Sequence, residues 1–228
     1  MARAPRARGT ARRTARYHHG DLRRALVRAG LALIARGGPE ALTLRAAARR
    51  AGVSQTAPYF HFADKRALLA AVAEEGFQAM IAHMRQAVAH HPTDPLGRLR
   101  TLGLAYVEFA RTHPEHFRVM FGPAVGDHAA HPSLHAAGAE AFELLRAAVA
   151  ACQEGGLVIG EDSVAMAALL WAATHGLASL LVDGQLRNRG GEDPEALAER
   201  VAAAIFLGIA APAGRAARAG DEGGHAGG

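Results

Sequence analysis

The chain has 228 residues, half of them apolar, with a formal net charge of +5 and a single cysteine, Cys152. One thiol excludes an intrachain disulfide framework, and sparse β-branched residues beside abundant alanine point to an all-α fold. No apolar run follows the N-terminal arginines as a secretory leader requires, and the most apolar stretch, 164–182, is interrupted by Thr174, His175 and Ser179; a soluble, cytoplasmic protein with no membrane partner is expected.

Charge is distributed unevenly. Residues 1–66 hold fifteen Arg and Lys against Asp21, Glu40 and Asp64, a net of +12, while the remainder carries eleven basic and eighteen acidic residues, a net of −7. A polyanion partner for the first third explains this asymmetry, whereas random scatter of +5 does not. Residues 1–17 contain six arginines, no acid and no hydrophobic period. They are expected to be a disordered basic arm, read either as an incidental solvated tail or as a phosphate-contacting or minor-groove arm.

A first helix is predicted from about Asp21 to Arg36, with Leu22, Leu26, Ala29 and Leu33 on one face and Gly37-Gly38 ending it. Behind Thr43, an N-cap residue, Leu44, Ala47, Ala48 and Ala51 recur at the helical period, and Gly52 supplies a turn position suited to positive φ. Ser54 is read as the cap of a second short helix, so that 42–66 forms a helix-turn-helix. In such a motif the second helix enters the major groove N-terminus first, which puts Gln55, Thr56, Tyr59 and His61 within reach of base edges and phosphates. An ordinary helical hairpin with a surface Arg cluster is the competing reading, and the charge asymmetry favours double-stranded DNA. Phe60 and Phe62 are expected to pack, seating the second helix on its neighbours.

Asp64 caps a long helix running through Leu68, Leu69, Val72, Phe77, Met80, Ile81, Met84 and Val88, which Pro92 and Pro95 terminate. This helix is the natural connector between domains. Further helices are predicted at about 95–112, 114–121, 132–154, 161–182 and 193–209, punctuated by Pro114, Gly122-Pro123, Gly155-Gly156, Asp183-Gly184 and Pro194. The expected organisation is a basic arm (1–17), a three-helix DNA-binding domain (18–66), a helical effector-binding and dimerisation domain (67–211) and a Gly- and Ala-rich disordered tail (212–228).

On these residues the chain resembles the TetR family of transcriptional repressors. The stretch from Leu42 to Ser54, followed by Tyr59, His61-Phe62, Asp64-Lys65 and Leu68-Leu69, is similar to that family's N-terminal signature. The element Trp171 to Gly176, a Trp-x-x-x-His-Gly, and the stretch 113–122 look like one branch of its ligand domains. The resemblance implies DNA contacts at Thr43 and Arg45 before the turn, at Gln55, Thr56, Tyr59 and His61 on the recognition helix, and at Lys65 at the start of the next helix. Their chemistry suits those roles: Gln offers a bidentate amide, Thr a hydroxyl and methyl, Tyr and Lys phosphate donors. Thr56 stands where many members have Gly, and Pro58 where they usually have Leu, which predicts a tight or distorted first turn.

Aromatic and Met residues concentrate between 106 and 171, and Tyr106, Phe109, Phe117, Met120, Phe121, Phe142 and Trp171, with His175 one turn beyond Trp171, are candidate ligand contacts as well as candidate core. The last two helices are apolar around much of their circumference (Val164, Leu169, Leu170, Leu177, Leu180, Leu181 and Val182, then Leu197, Val201, Ala204, Ile205 and Leu207), as helices paired in a homodimer would be. A two-fold dimer matches a palindromic operator, and a small-molecule effector is the expected second partner. The pairs His131/His135 and His113/His116 have metal-pair spacing but lack completing ligands, so neither metal nor cofactor is expected. No catalytic constellation is visible, which makes a helical enzyme the weaker alternative; an effector-free, nucleoid-type DNA binder is the other.

Overall fold

The computed structural model describes residues 19–91, 93–160, 162–186 and 193–209. The expected basic arm and disordered tail lie outside them. Among the described residues the chain forms eight α-helices: α1 (His19–Gly37), α2 (Leu44–Ala51), α3 (Lys65–Val88), α4 (Pro95–Thr112), α5 (Pro114–Phe121), α6 (Pro132–Glu154), α7 (Ser163–Val182) and α8 (Pro194–Ile209). Three single-turn 3-10 segments, 39–41, 57–60 and 128–130, lie between them.

Local chemistry sets the helix ends. Thr43 Oγ1 accepts from the Ala46 amide at 3.0 Å, and Asp64 Oδ1 accepts from the Ala67 amide at 2.8 Å, so two of the three anticipated N-caps are made. Gly52 closes α2 at φ 71°, the left-handed region open to glycine at low cost. Asp94 and Asp162 cap α4 and α7 in the same way, through the amides of Gly97 and of Val164 and Ala165.

The apolar stripe of α1 supplies buried Leu26, Val27, Ala29 and Ile34, which meet Leu44 and Ala47 of α2 and the first turns of α3. α3 is buried almost all round: Leu68 and Leu69 face this small core, while Phe77, Met80, Met84 and Val88 face α4, α5 and α6. The glycine at 76 lets α3 and α5 approach closely, since a Cβ there would stand 2.6 Å from Met120 Sδ. α7 packs on α4 and α6, with Ala167, Leu170, Leu177 and Ala178 buried. By length and mean hydropathy α7 alone among the described helices could cross a membrane, yet this packed face and the polar bonds of His175 mark it as an element of a helical bundle.

His116 is 6% exposed, and among the described residues neither of its ring nitrogens has a hydrogen-bond partner. Burial lowers its pKa from 6.5, against an opposing pull from Glu115 and Glu75. The unfolded chain therefore binds the extra proton more readily than the native one, so stability is full above about pH 6.5 and declines as pH falls below it. Denaturant unfolding at pH 7.5 and 5.5 should show this loss, and His116→Leu should make it smaller.

Candidate nucleic-acid interface and ligand cavity

The segment after Gly52 departs from the sequence expectation. Ser54 does not cap a second α-helix, and 57–60 is a 3-10 turn. Proline explains it. An α-helix starting here needs a residue-58 amide to bond the Ser54 carbonyl, and Pro58 has none. The Ala57 amide takes that carbonyl one residue early at 3.1 Å, and Tyr59 bonds Thr56 in the same short register at 3.2 Å. The Ser54 hydroxyl lies 3.2 Å from that of Thr56 and does not cap a backbone amide. The motif is thus helix, glycine turn, 3-10 turn, not two α-helices.

This geometry exposes Ser54, Gln55 and Thr56 and leaves Tyr59 half-exposed; Thr43 and Arg45 are also exposed. His61 is partly buried, 6.4 Å between ring centroids from Phe62. Lys65 reaches the exposed Glu40 carboxylate at 3.2 Å; such a surface pair is worth about 0–1 kcal/mol, so exchanging it for a phosphate costs little. Arg45, Arg49, Arg50 and Arg66 are exposed as well. The expectation that both phenylalanines pack holds only for Phe62, which is buried beneath the Arg23 guanidinium at 5.7 Å. Phe60 is 84% exposed, because the 3-10 turn rotates its side chain away from the core that an α-helix would have offered.

A cavity of about 370 Å³ lies between α3, α4, α6 and α7. Of the eight anticipated ligand residues, Tyr106, Phe121, Phe142 and Trp171 line it. Phe109, Phe117 and Met120 are buried in the surrounding core, and His175 stands behind Tyr106. Phe77, Met80, Met84, His128, His135, Gly138 and Leu145 also line the cavity and were not singled out as ligand residues by the sequence. The signal available was Phe77, Met80 and Met84 on one face of a single helix, where the ordinary reading is core.

Phe121 organises the aromatic wall, with ring centroids 5.3 Å from Phe77, 4.9 Å from Phe117 and 4.6 Å from His175. Tyr106 Oη lies 2.7 Å from His175 Nδ1, and His175 Nε2 lies 3.3 Å from Ser179 Oγ. Burial raises the Tyr106 pKa well above 10, partly offset by the Trp171 indole, and burial lowers that of His175. Both groups are therefore neutral near pH 7.

Residues 26–72 match the family model of bacterial regulatory proteins of the tetR family, and residues 99–205 match the tetracyclin repressor-like C-terminal domain. The chain belongs to the TetR family of transcriptional regulators. The tetracycline repressor protein class C of Escherichia coli is 52% identical over 52 residues, 23% of this chain and 24% of that protein. The matched segment thus spans about a quarter of that curated relative. A protein of unknown function from Rhodococcus sp. RHA1 superposes with a TM-score of 0.74 at 33% identity, covering 86% of this chain and 98% of the other. The ketosteroid transcriptional regulator KstR2 of Mycobacterium tuberculosis shares the fold at 20% identity and a TM-score of 0.62, over 83% of this chain and 95% of its own.

The contrast between the two phenylalanines is testable by thermal unfolding. Phe62→Ala should cost about 3 kcal/mol through the cavity it opens, whereas Phe60→Ala should stay within about 0.5 kcal/mol of wild type.

Proposed function

We propose that this TetR-family regulator is a homodimeric repressor that binds a palindromic operator and leaves it when a small, mainly apolar molecule fills the cavity. The observation that carries this reading is the double role of α3: Phe77, Met80 and Met84 form a wall of the cavity, and the same helix begins at Lys65, directly after the exposed turn. In the proposed complex Ser54, Gln55, Thr56, Tyr59 and His61 face the major groove, and Thr43, Arg45 and Lys65 hold phosphates. Gln55 reads a base edge. Phe60, solvent-exposed in the free protein, lies against the apolar edge of the groove, where thymine methyl groups stand.

Dimerisation is supported by α7, which leaves Val164, Leu169, Trp171 and Leu180 exposed, an apolar face that a second copy of α7 and α8 would cover. The α8 contribution rests in part on Leu207, whose side chain lies outside the described residues. The likeness of Trp171 through Gly176 to the Trp-x-x-x-His-Gly element supports assigning the chain to that branch, with Trp171 shared between cavity and dimer face. A DNA-bound regulator of this kind works in the cytoplasm, and it needs no catalytic step.

Release follows from linkage. A ligand dislodges the protein only if it prefers a conformation whose two recognition segments no longer match major grooves about 34 Å apart. A small tilt of α3 achieves that.

Gel shifts on a duplex from the chain's own promoter should show affinity falling steeply with salt. Tyr59→Ala and Lys65→Ala should weaken binding on every sequence, Gln55→Ala should relax base preference, and Phe60→Ala should lose affinity only where uracil for thymine also lowers wild-type affinity. Wild-type behaviour in all four variants overturns the DNA-facing assignment. Leu180→Glu should break the dimer in light scattering, and a monomeric wild type at micromolar concentration would remove the basis for a palindrome. Trp171 emission should change when an effector enters and the operator is released.

A further inference from the structure

The cavity's chemistry is narrow. Among the described residues that line it there is no Asp, Glu, Lys or Arg, so a charged ligand would be buried without a counter-ion. Phe77, Phe121, Phe142 and Trp171 present flat apolar surface suited to a ring system. His128 and His135 belong to the wetter side, His135 being exposed, where water competes for any hydrogen bond they offer. The polar groups on the buried side are the hydroxyl of Tyr106, itself 6% exposed, and the Trp171 indole N–H that hydrogen-bonds it.

What that hydroxyl can offer is set by its partner. A phenol is a far stronger acid than a neutral imidazole N–H, and the bare imidazole nitrogen is the better acceptor, so the shared proton belongs to Tyr106 Oη and points at His175 Nδ1. The separation of 2.7 Å agrees, being short for an N–H donor and ordinary for an O–H donor. His175 then carries its own proton on Nε2, donated to Ser179 Oγ at 3.3 Å. With its proton committed to His175 and one lone pair taken by the Trp171 indole N–H, Tyr106 has only its remaining lone pair to offer a ligand. A ligand that meets it with a carbonyl or ether oxygen sets two lone pairs against each other, whereas a ligand hydroxyl completes the chain from ligand to Tyr106 to His175 to Ser179.

We infer that the effector is an uncharged ring compound bearing a hydroxyl group, a phenol or ring alcohol, which donates its hydrogen bond to Tyr106 Oη. This rests on the cavity being the effector site. The same chain ends on α7, the helix proposed for the dimer, so the polar contact and the dimer face lie on one element.

The test uses the full-length protein and two probes of equal ring size, 2-naphthol and 2-methoxynaphthalene, titrated by calorimetry. Wild type should bind the naphthol about tenfold more tightly than the ether, the worth of one buried hydrogen bond. Tyr106→Phe should erase the preference by weakening the naphthol alone. Equal or tighter binding of the ether by wild type overturns the hydroxyl assignment while leaving the cavity as a ligand site, and so does a preference that survives in Tyr106→Phe. Binding of neither probe by wild type overturns the hydroxyl assignment together with the cavity as effector site. The wild-type comparison decides even where the variant fails to fold.

Discussion

The burial of α3 on both sides constrains everything else in the molecule. Its first turns close the small core made with α1 and α2, and its later turns close the larger core made with α4, α5 and α6. Neither core is complete without it, so the helix cannot shift against one without disturbing the other. Packed interiors transmit such displacements because they have little free volume to absorb them. Polar contacts reinforce the link: Glu74 on α3 lies 3.6 Å from Arg23 of α1 and accepts from the Ser133 hydroxyl of α6 at 2.9 Å. Arg23 in turn covers Phe62. One short path therefore joins the start of a cavity-lining helix to the residue that anchors the exposed turn.

The exposed turn shows how one residue reshapes a motif. Pro58 lacks the amide that an α-helix requires, and the backbone takes the shorter register instead. The result leaves Gln55, Thr56, Tyr59 and Phe60 exposed while Pro58 and Phe62 are buried.

Much of this was legible in the sequence. Apart from the second helix of the motif, which is a 3-10 turn, the helix boundaries were anticipated to within two residues, because Thr43, Gly52, Asp64 and the prolines are strong punctuation and act locally. The bend at Pro58 was legible as distortion, but its consequence for Phe60 was not, since which way a side chain faces depends on whether the turn advances by three residues or four. The cavity was the least legible element. Phe77, Met80 and Met84 have the same pattern whether they fill a core or border a space, and the difference lies in what faces them: on α6, Gly138 offers Phe77 no side chain, although a Cβ there would be in ordinary contact with the ring at 3.8 Å. His135 stood out in the sequence as half of a metal pair, whereas its partner His131 sits at the start of α6 and His135 lines the cavity.

The shared role of α3 is most directly tested by hydrogen exchange on the Phe77→Ala variant. Removing that ring enlarges the cavity far from the exposed turn. If α3 is a single rigid element common to both cores, exchange should quicken together along 65–88 and in α1 and α2, although neither of the latter touches the cavity. Faster exchange confined to α4, α6 and the second half of α3, with α1 and α2 at wild-type protection, would contradict it.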